Sequence, residues 1–222
     1  MLSAVRCVKP LVAFFTVYPV GGGELSFRCV WALPYVVAPL VAAPSALLIH
    51  AGAGPILSYI ALLVATGLHH LDGLADVADA LMVRDRSRAR EVLEDPRKGT
   101  AGVFAVVASF AVGAAYISDP AQVVASEVYS KAVALLFAGF SKPFKPGLGE
   151  AFTNAARGQW PAAIPALVAL AILKPASFAA SLVASLALYW AAYRHLGGAN
   201  GDVYGYLLEV ARVSYIAAWS LG

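Results

Sequence analysis

Apolar and polar positions along this chain fall into long blocks, not into the short alternation of half-buried strands. From Arg28 to His50 runs an apolar block punctuated by Pro34, Pro39 and Pro44, which kink a helix but are tolerated inside bundles. Gly52 to Pro55 reads as a turn, and residues 55 to 71 as a second span running back. Gly99 to Ile117 and Gln122 to Phe140 form a helical pair around a turn at Ser118 to Pro120. Pro161 to Leu173 and Ser177 to Tyr193 form another, and Val203 to Leu221 leaves once more. At the start, only about ten apolar residues follow Lys9, against the roughly 20 that a crossing needs. Residues 1 to 20, ending in the turn Pro19 to Gly23, are therefore expected to form an interfacial or re-entrant segment. Lipid offers no partner to an open backbone, and the chain has no series of alternating ten-residue strands. The pattern predicts an all-α, polytopic integral membrane helix bundle of about seven transmembrane helices. No internal repeat and no break in composition divides it, so residues 1–222 read as one domain.

Three polar loops separate these blocks. Residues 84–98, RDRSRAREVLEDPRK, hold six of the sixteen basic residues; residues 141–159 carry Lys142, Lys145 and Arg157; residues 194–202 read RHLGGANGD. Basic loops stay on the cytoplasmic side, which predicts a multi-pass protein of the cell membrane with these loops, and any site they build, facing the cytoplasm. Composition agrees: 60% of residues are hydrophobic, above the 45–50% or so of soluble domains, and mean hydropathy is +0.74. A net charge of +3 is too small to argue for nucleic acid as a partner. Cys7 and Cys29 sit in no metal or redox spacing and read as small buried hydrophobes.

The charge that remains is concentrated. In His69 to Asp79, HHLDGLADVAD, three aspartates fall within eight residues, and on a helix Asp72, Asp76 and Asp79 lie within about 60° of one another. Like charges so close repel unless a cation sits between them, and carboxylates favour magnesium or manganese, whose coordination shell substrate phosphate often completes. The expectation is a phosphoryl-transfer site with Asp72, Asp76 and Asp79 as metal ligands. A solvated interfacial turn is the competing reading, weakened by the scarcity of charge elsewhere. Downstream, Arg97, Lys98, Gly99 and Thr100 precede an apolar helix, where free backbone N–H groups and two cations suit an anion; a basic anchor with a helix cap is the alternative. Asp95 reads as a further ligand or a cap. Lys131, inside an apolar helix, is expected to meet a phosphate or an aspartate, or else Glu127 one turn earlier. Gly201 and Asp202 open the last helix, either as a close backbone approach to phosphate with a fourth carboxylate or as an ordinary turn with Asp202 as cap. On a continuous helix His69 shares the aspartate face and His70 points away, an order that a break near Gly73 would reverse.

These residues resemble a known family. HLDGLADVAD followed by EVLEDPRKGTAG, with YSKAVALLF, PGLGEAF and LGGANGDVYGYLLE in order behind them and FFTVYPV ahead, is similar to the cobalamin synthase family, the membrane-bound adenosylcobinamide-GDP ribazoletransferases. The chain differs where Val17 and Lys131 replace common arginines and Ala80 a frequent glycine. The resemblance implies a Mg2+-dependent enzyme (Mn2+ as substitute) that joins adenosylcobinamide-GDP to α-ribazole or its 5′-phosphate and expels GMP. It further implies His70, not His69, as a catalytic residue beside the three aspartates, with Arg97, Lys98, Gly99, Thr100, Lys131, Gly201 and Asp202 at the substrate. Partners are then the two substrates and membrane lipid, with room for a homo-oligomer. A CDP-alcohol-type phosphotransferase acting on a lipid would share the acidic triad but carries an arginine pattern absent here. A cation-coupled transporter would place its acids at mid-membrane on several helices, often in repeated halves.

Overall fold

The structure, a computed structural model, describes residues 2–21 and 25–221, so Gly22 and Gly23 of the predicted N-terminal turn lie outside the described residues. Helix α1 (Leu2–Phe15) is about 21 Å long, too short to cross a membrane, as the sequence implies. The first long block becomes a continuous helical run over Val30–His50: a 3₁₀ turn, a π-helical turn beginning beside Pro34, and α2 (Ala38–His50). Then follow α3 (Pro55–Ala65), α4 (His69–Leu81), α5 (Arg86–Leu93), α6 (Thr100–Tyr116), α7 (Pro120–Phe140), α8 (Leu148–Arg157), α9 (Ile164–Leu173), α10 (Pro175–Leu196) and α11 (Gly201–Ala218). No strand occurs among the described residues. Three helical runs, Val30–His50, α7 and α10, are long and apolar enough to cross a membrane, or five if each of two bent pairs is one span.

One bent pair decides how the acids are presented. The sequence suggests a single span over residues 55–71, but α3 ends at Ala65 and α4 starts at His69 after a 90° turn. Gly67 (φ +67°) closes α3 in the left-handed conformation usual for a C-terminal glycine. Leu68 (φ +63°) extends that turn at a cost of about 1–2 kcal/mol for a residue with a Cβ, the only such non-glycine among the described residues. The acidic helix thereby leaves α3 at a right angle instead of continuing its direction.

Helix α11 lies at the centre, against α4, α7 and α10. Its approach to α4 depends on glycine: a Cβ on Gly73 would stand 2.6 Å from the Asp202 carbonyl oxygen and 3.2 Å from Gly205 Cα. Small residues facing each other let helix backbones close in this way. Deeper in the same interface lies a fully buried set of charges. Glu127 of α7 is paired with Lys131, four residues on, and with Arg212 of α11, which also pairs with Glu209. Arg212 further reaches His70 Nδ1 at 3.2 Å, while Tyr59 and Ser109 donate to Glu209 at 3.3 and 3.0 Å. Two cations meet two carboxylates, the arrangement in which buried charge is tolerated.

The three polar loops meet at one end of the bundle. Arg86 donates to the carbonyls of His195 and Arg194, and Arg90 to that of Leu196 while lying 4.5 Å over the Phe144 ring. Lys145 pairs with Glu94 at 2.7 Å, and the backbones at Lys142 and Ala199 bond to each other.

The cysteines are not lone hydrophobes, as their spacing suggests, but a disulfide: Cys7 in α1 is bonded to Cys29, with Cα atoms 5.8 Å apart. The pairing depends on α1 folding back over the turn at Phe27–Cys29, a contact no local spacing announces. Closing a loop of 22 residues stabilises by about 3 kcal/mol through the unfolded chain. Reduction is therefore expected to lower the unfolding midpoint in detergent, measured with and without reductant and checked by alkylation of the freed thiols. An unchanged midpoint with fully alkylated thiols overturns that expectation.

Candidate active site

Asp72, Asp76 and Asp79 share one side of α4 as the helical repeat requires, but they do not share one partner. Lys98 Nζ lies 2.7 Å from Asp72 Oδ1 and 2.5 Å from Asp76 Oδ1, an ammonium bracketed by two carboxylates. Burial works against the charge of Lys98, yet the two carboxylates outweigh it and hold its pKa above the ordinary lysine value. Asp76 is the buried member of the pair, at 7% exposure, whereas the Asp72 side chain is 63% exposed.

Asp79 is turned to a different task. Its Oδ2 accepts from Gly99 N–H at 2.6 Å and its Oδ1 from Gly102 N–H at 2.8 Å, so it occupies the start of α6 that the sequence offers as an anion site. The glycines permit this, because a Cβ at either position would stand 2.5 Å from an Asp79 oxygen. Among the described residues no group of three acids, histidines or cysteines is spaced to hold a metal ion. The pair Asp72 and Asp76 does fit a cation: a positive group already sits between their oxygens, and hard oxygen donors suit Mg2+ or Mn2+.

The other predicted residues are distributed as follows. Arg97 is 88% exposed and grips Asp95 with both Nε and Nη2, at 3.0 and 2.7 Å. Hydrogen bonds from the Arg97 side chain and backbone hold the Asp95 carboxyl at about 2. Thr100 is exposed at the first position of α6. Asp202, in the first turn of α11, accepts from Asn200 Nδ2 at 2.7 Å. The cap is Asn200 itself, whose Oδ1 accepts from Val203 N–H at 3.0 Å, rather than Asp202. Gly201 is exposed beside it. Lys131 stands inside the bundle on Glu127, the helical alternative, so its partner is a carboxylate and not an aspartate of the cluster. His69 is exposed and stacks on Phe14 with ring centroids 6.5 Å apart, whereas His70 is buried against Arg212. The α4 helix is continuous through Gly73, so the two histidines do point apart as a helix requires.

Asn200, Glu209 and Arg212 are the residues a linear reading overlooks. A signal existed for two of them: an acid and an arginine at an i,i+3 spacing inside an otherwise apolar helix are costly unless they pair.

Fold and site together define an all-helical protein of membrane character whose basic loops gather round an acidic helix at one end of the bundle. Residues 8–220 match the family described as cobalamin-5-phosphate synthase. A relative from Pyrobaculum aerophilum named adenosylcobinamide-GDP ribazoletransferase is 65% identical over 97% of this chain and 96% of its own. One of the same name from Pyrobaculum calidifontis is 59% identical over 97% and 100%. A third from Thermoplasma acidophilum is 30% identical over 94% and 89%. No solved structure matches. The chain belongs to the cobalamin-5-phosphate synthase family.

Proposed function

We propose that this chain is the enzyme that joins adenosylcobinamide-GDP to α-ribazole or its 5′-phosphate, giving adenosylcobalamin or its 5′-phosphate and GMP. The observation that carries the reading is the Lys98 ammonium bracketed by Asp72 and Asp76 on a helix faced by a basic loop, in a chain so similar to relatives of that name. A ribose hydroxyl of the nucleoside attacks the cobinamide-bearing phosphorus. One P–O bond forms, the P–O bond to GMP breaks with its electron pair leaving on the GMP oxygen, and the hydroxyl proton passes to a carboxylate or to water. Asp72 and Asp76 would hold the metal; when bound, Mg2+ or Mn2+ supplies positive charge to the diphosphate and the leaving oxygen. Lys98, released from the two carboxylates, is placed to meet phosphate oxygens, and Arg97 can exchange Asp95 for a phosphate with the same two-pronged geometry. Asp79 keeps the α6 start in register with α4.

We further read α6, α11 and the two bent pairs as crossings together with the three long runs, which makes seven. The basic loops favour the cytoplasmic side for the site. A disulfide on α1 is compatible with that side where the cell interior tolerates disulfides, as in hyperthermophiles.

Purified protein in detergent with adenosylcobinamide-GDP, α-ribazole and Mg2+ is expected to release GMP, and chelator to stop it. Absence of GMP under conditions where CDP-diacylglycerol is turned over would replace this reading with the lipid enzyme. A second measurement tests the pairing of Lys98. Lys98→Met leaves Asp72 and Asp76 facing each other without a counter-charge, so Mn2+ binding followed by electron paramagnetic resonance should tighten about tenfold or more while GMP release slows. Unchanged Mn2+ affinity would mean that Lys98 and the metal do not compete for one place.

A further inference from the structure

An apolar groove of about 500 Å³ runs between α6 and α11 and is unused by the chemistry above. It follows α6 from Ala101 to Val112, about 16 Å, and Tyr206, Val210 and Val213 of α11 form its other wall. Leu74, Ala78, Leu81 and Met82 of α4 close it from behind. The helical repeat puts those four residues on the side of α4 turned away from Asp72, Asp76 and Asp79. The acidic helix therefore carries its aspartates on one side and a wall of this groove on the other.

The dimensions of the groove suit a hydrocarbon chain. Its volume is more than three times the roughly 150 Å³ of an apolar cavity that accepts a benzene ring. Its length is close to the depth of one leaflet, half of a hydrocarbon core about 30 Å thick. It starts at the polar end of the bundle, in the first turn of α6, and stops at Val112, a turn before α6 does. It also opens sideways, for on its rim Phe104 is 72% exposed and Leu188 of α10 42%. Two of its three hydroxyl-bearing residues are already bonded, Ser109 to Glu209 at 3.0 Å and Tyr206 to the Leu188 carbonyl at 3.4 Å, so water would find few partners there. At the polar end Met82 is exposed, and Arg84, two residues on, is exposed and in no ion pair among the described residues. A guanidinium so placed suits the phosphate of an anionic lipid.

We propose that this groove holds one hydrocarbon chain of an anionic membrane lipid, drawn from the leaflet on the side of the basic loops, with the chain against the back of α4 and the lipid phosphate at Arg84. The inference rests on the reading of α6 and α11 as crossings, which turns the open side of the groove to hydrocarbon, and not on the reaction.

The test uses the whole protein, stripped of lipid in detergent and then given dioleoylphosphatidylglycerol. Native mass spectrometry is expected to show one lipid retained per chain, and the lipid is expected to slow backbone hydrogen exchange over residues 74–82. Ala108→Phe puts a ring into the groove and should lower retention about tenfold or more and abolish the slowing, with its unfolding midpoint kept. Arg84→Gln should weaken retention of this lipid but not of zwitterionic dioleoylphosphatidylcholine; equal retention by Arg84→Gln overturns the phosphate contact. Equal retention by wild type and a folded Ala108→Phe overturns the groove as the chain's site. So does a wild-type dimer that Ala108→Phe takes apart, which would give the groove to a second copy. Should Ala108→Phe fail to fold, a wild type that retains no lipid, or whose exchange over 74–82 the lipid leaves unmoved, overturns the assignment by itself. No substrate enters these measurements, so a protein that releases no GMP leaves them unaffected. Release of the chain from membranes by carbonate would instead refute the crossings, and the bound lipid with them.

Discussion

Asp76→Asn is expected to lower GMP release by at least about 10²-fold while the protein stays folded. Asparagine keeps the shape of aspartate and can still accept from Lys98, so the packing of α4 on α11 is undisturbed; what disappears is one of two charges that bracket a cation. The effect should be largest at Asp76, because its buried carboxylate feels its partners through less water than the exposed Asp72 does. Asp72→Asn should cost less, and Asp79→Asn should act differently. With only one acceptor oxygen, an asparagine at 79 loses one of the two bonds to Gly99 and Gly102 N–H, which predicts a stability loss of about 1 kcal/mol with a smaller effect on turnover. The ranking is read from initial rates of GMP formation at saturating substrates, with thermal unfolding as the folding control. Wild-type-like turnover in Asp76→Asn would remove that residue from the reaction. A loss in Asp79→Asn as deep as in Asp76→Asn would restore the three-ligand arrangement that the helical spacing suggests.

That contrast shows how far the sequence could be read. Helical periodicity correctly places Asp72, Asp76 and Asp79 on one side of α4, and the clustering of charge in three loops correctly anticipates one polar end, because both depend only on local spacing. The division of labour among the acids is not local. It depends on where α6 begins relative to α4, which Gly99 and Gly102 set by admitting the Asp79 carboxylate where a methyl group would collide. The 90° turn into α4 is equally hidden, since a leucine in the left-handed region is nothing its hydropathy reveals. The Cys7–Cys29 bond requires two segments to meet in space. Family likeness identifies the acidic helix and the loop that faces it, but it cannot say that Lys131 ends on Glu127. Helical spacing offers that pair as an alternative, but not that Arg212 of α11 joins it on the same carboxylate.

Arg212→Met is expected to destabilise the bundle strongly. Arg212 is fully buried and, among the described residues, is the only group that touches both Glu127 and Glu209, while its Nη2 reaches His70 at the start of the acidic helix. Methionine fills much of the volume, so the loss is electrostatic: two buried carboxylates are left with Lys131 as the one remaining cation. Breaking such a set typically costs about 3–5 kcal/mol, which for a chain of this size lowers the unfolding midpoint by roughly 6–20 °C. Neutralising a carboxylate at the same time should recover part of the loss, so the double variant Arg212→Met with Glu127→Gln is expected to be more stable than Arg212→Met alone. Thermal unfolding in detergent, measured for the single and double variants, gives the coupling directly. Independent, additive losses would show that the charges do not act as one set. A midpoint for Arg212→Met within a degree or so of wild type would show that water reaches the carboxylates, which is incompatible with the buried network from which α4, and the aspartates it carries, take their position.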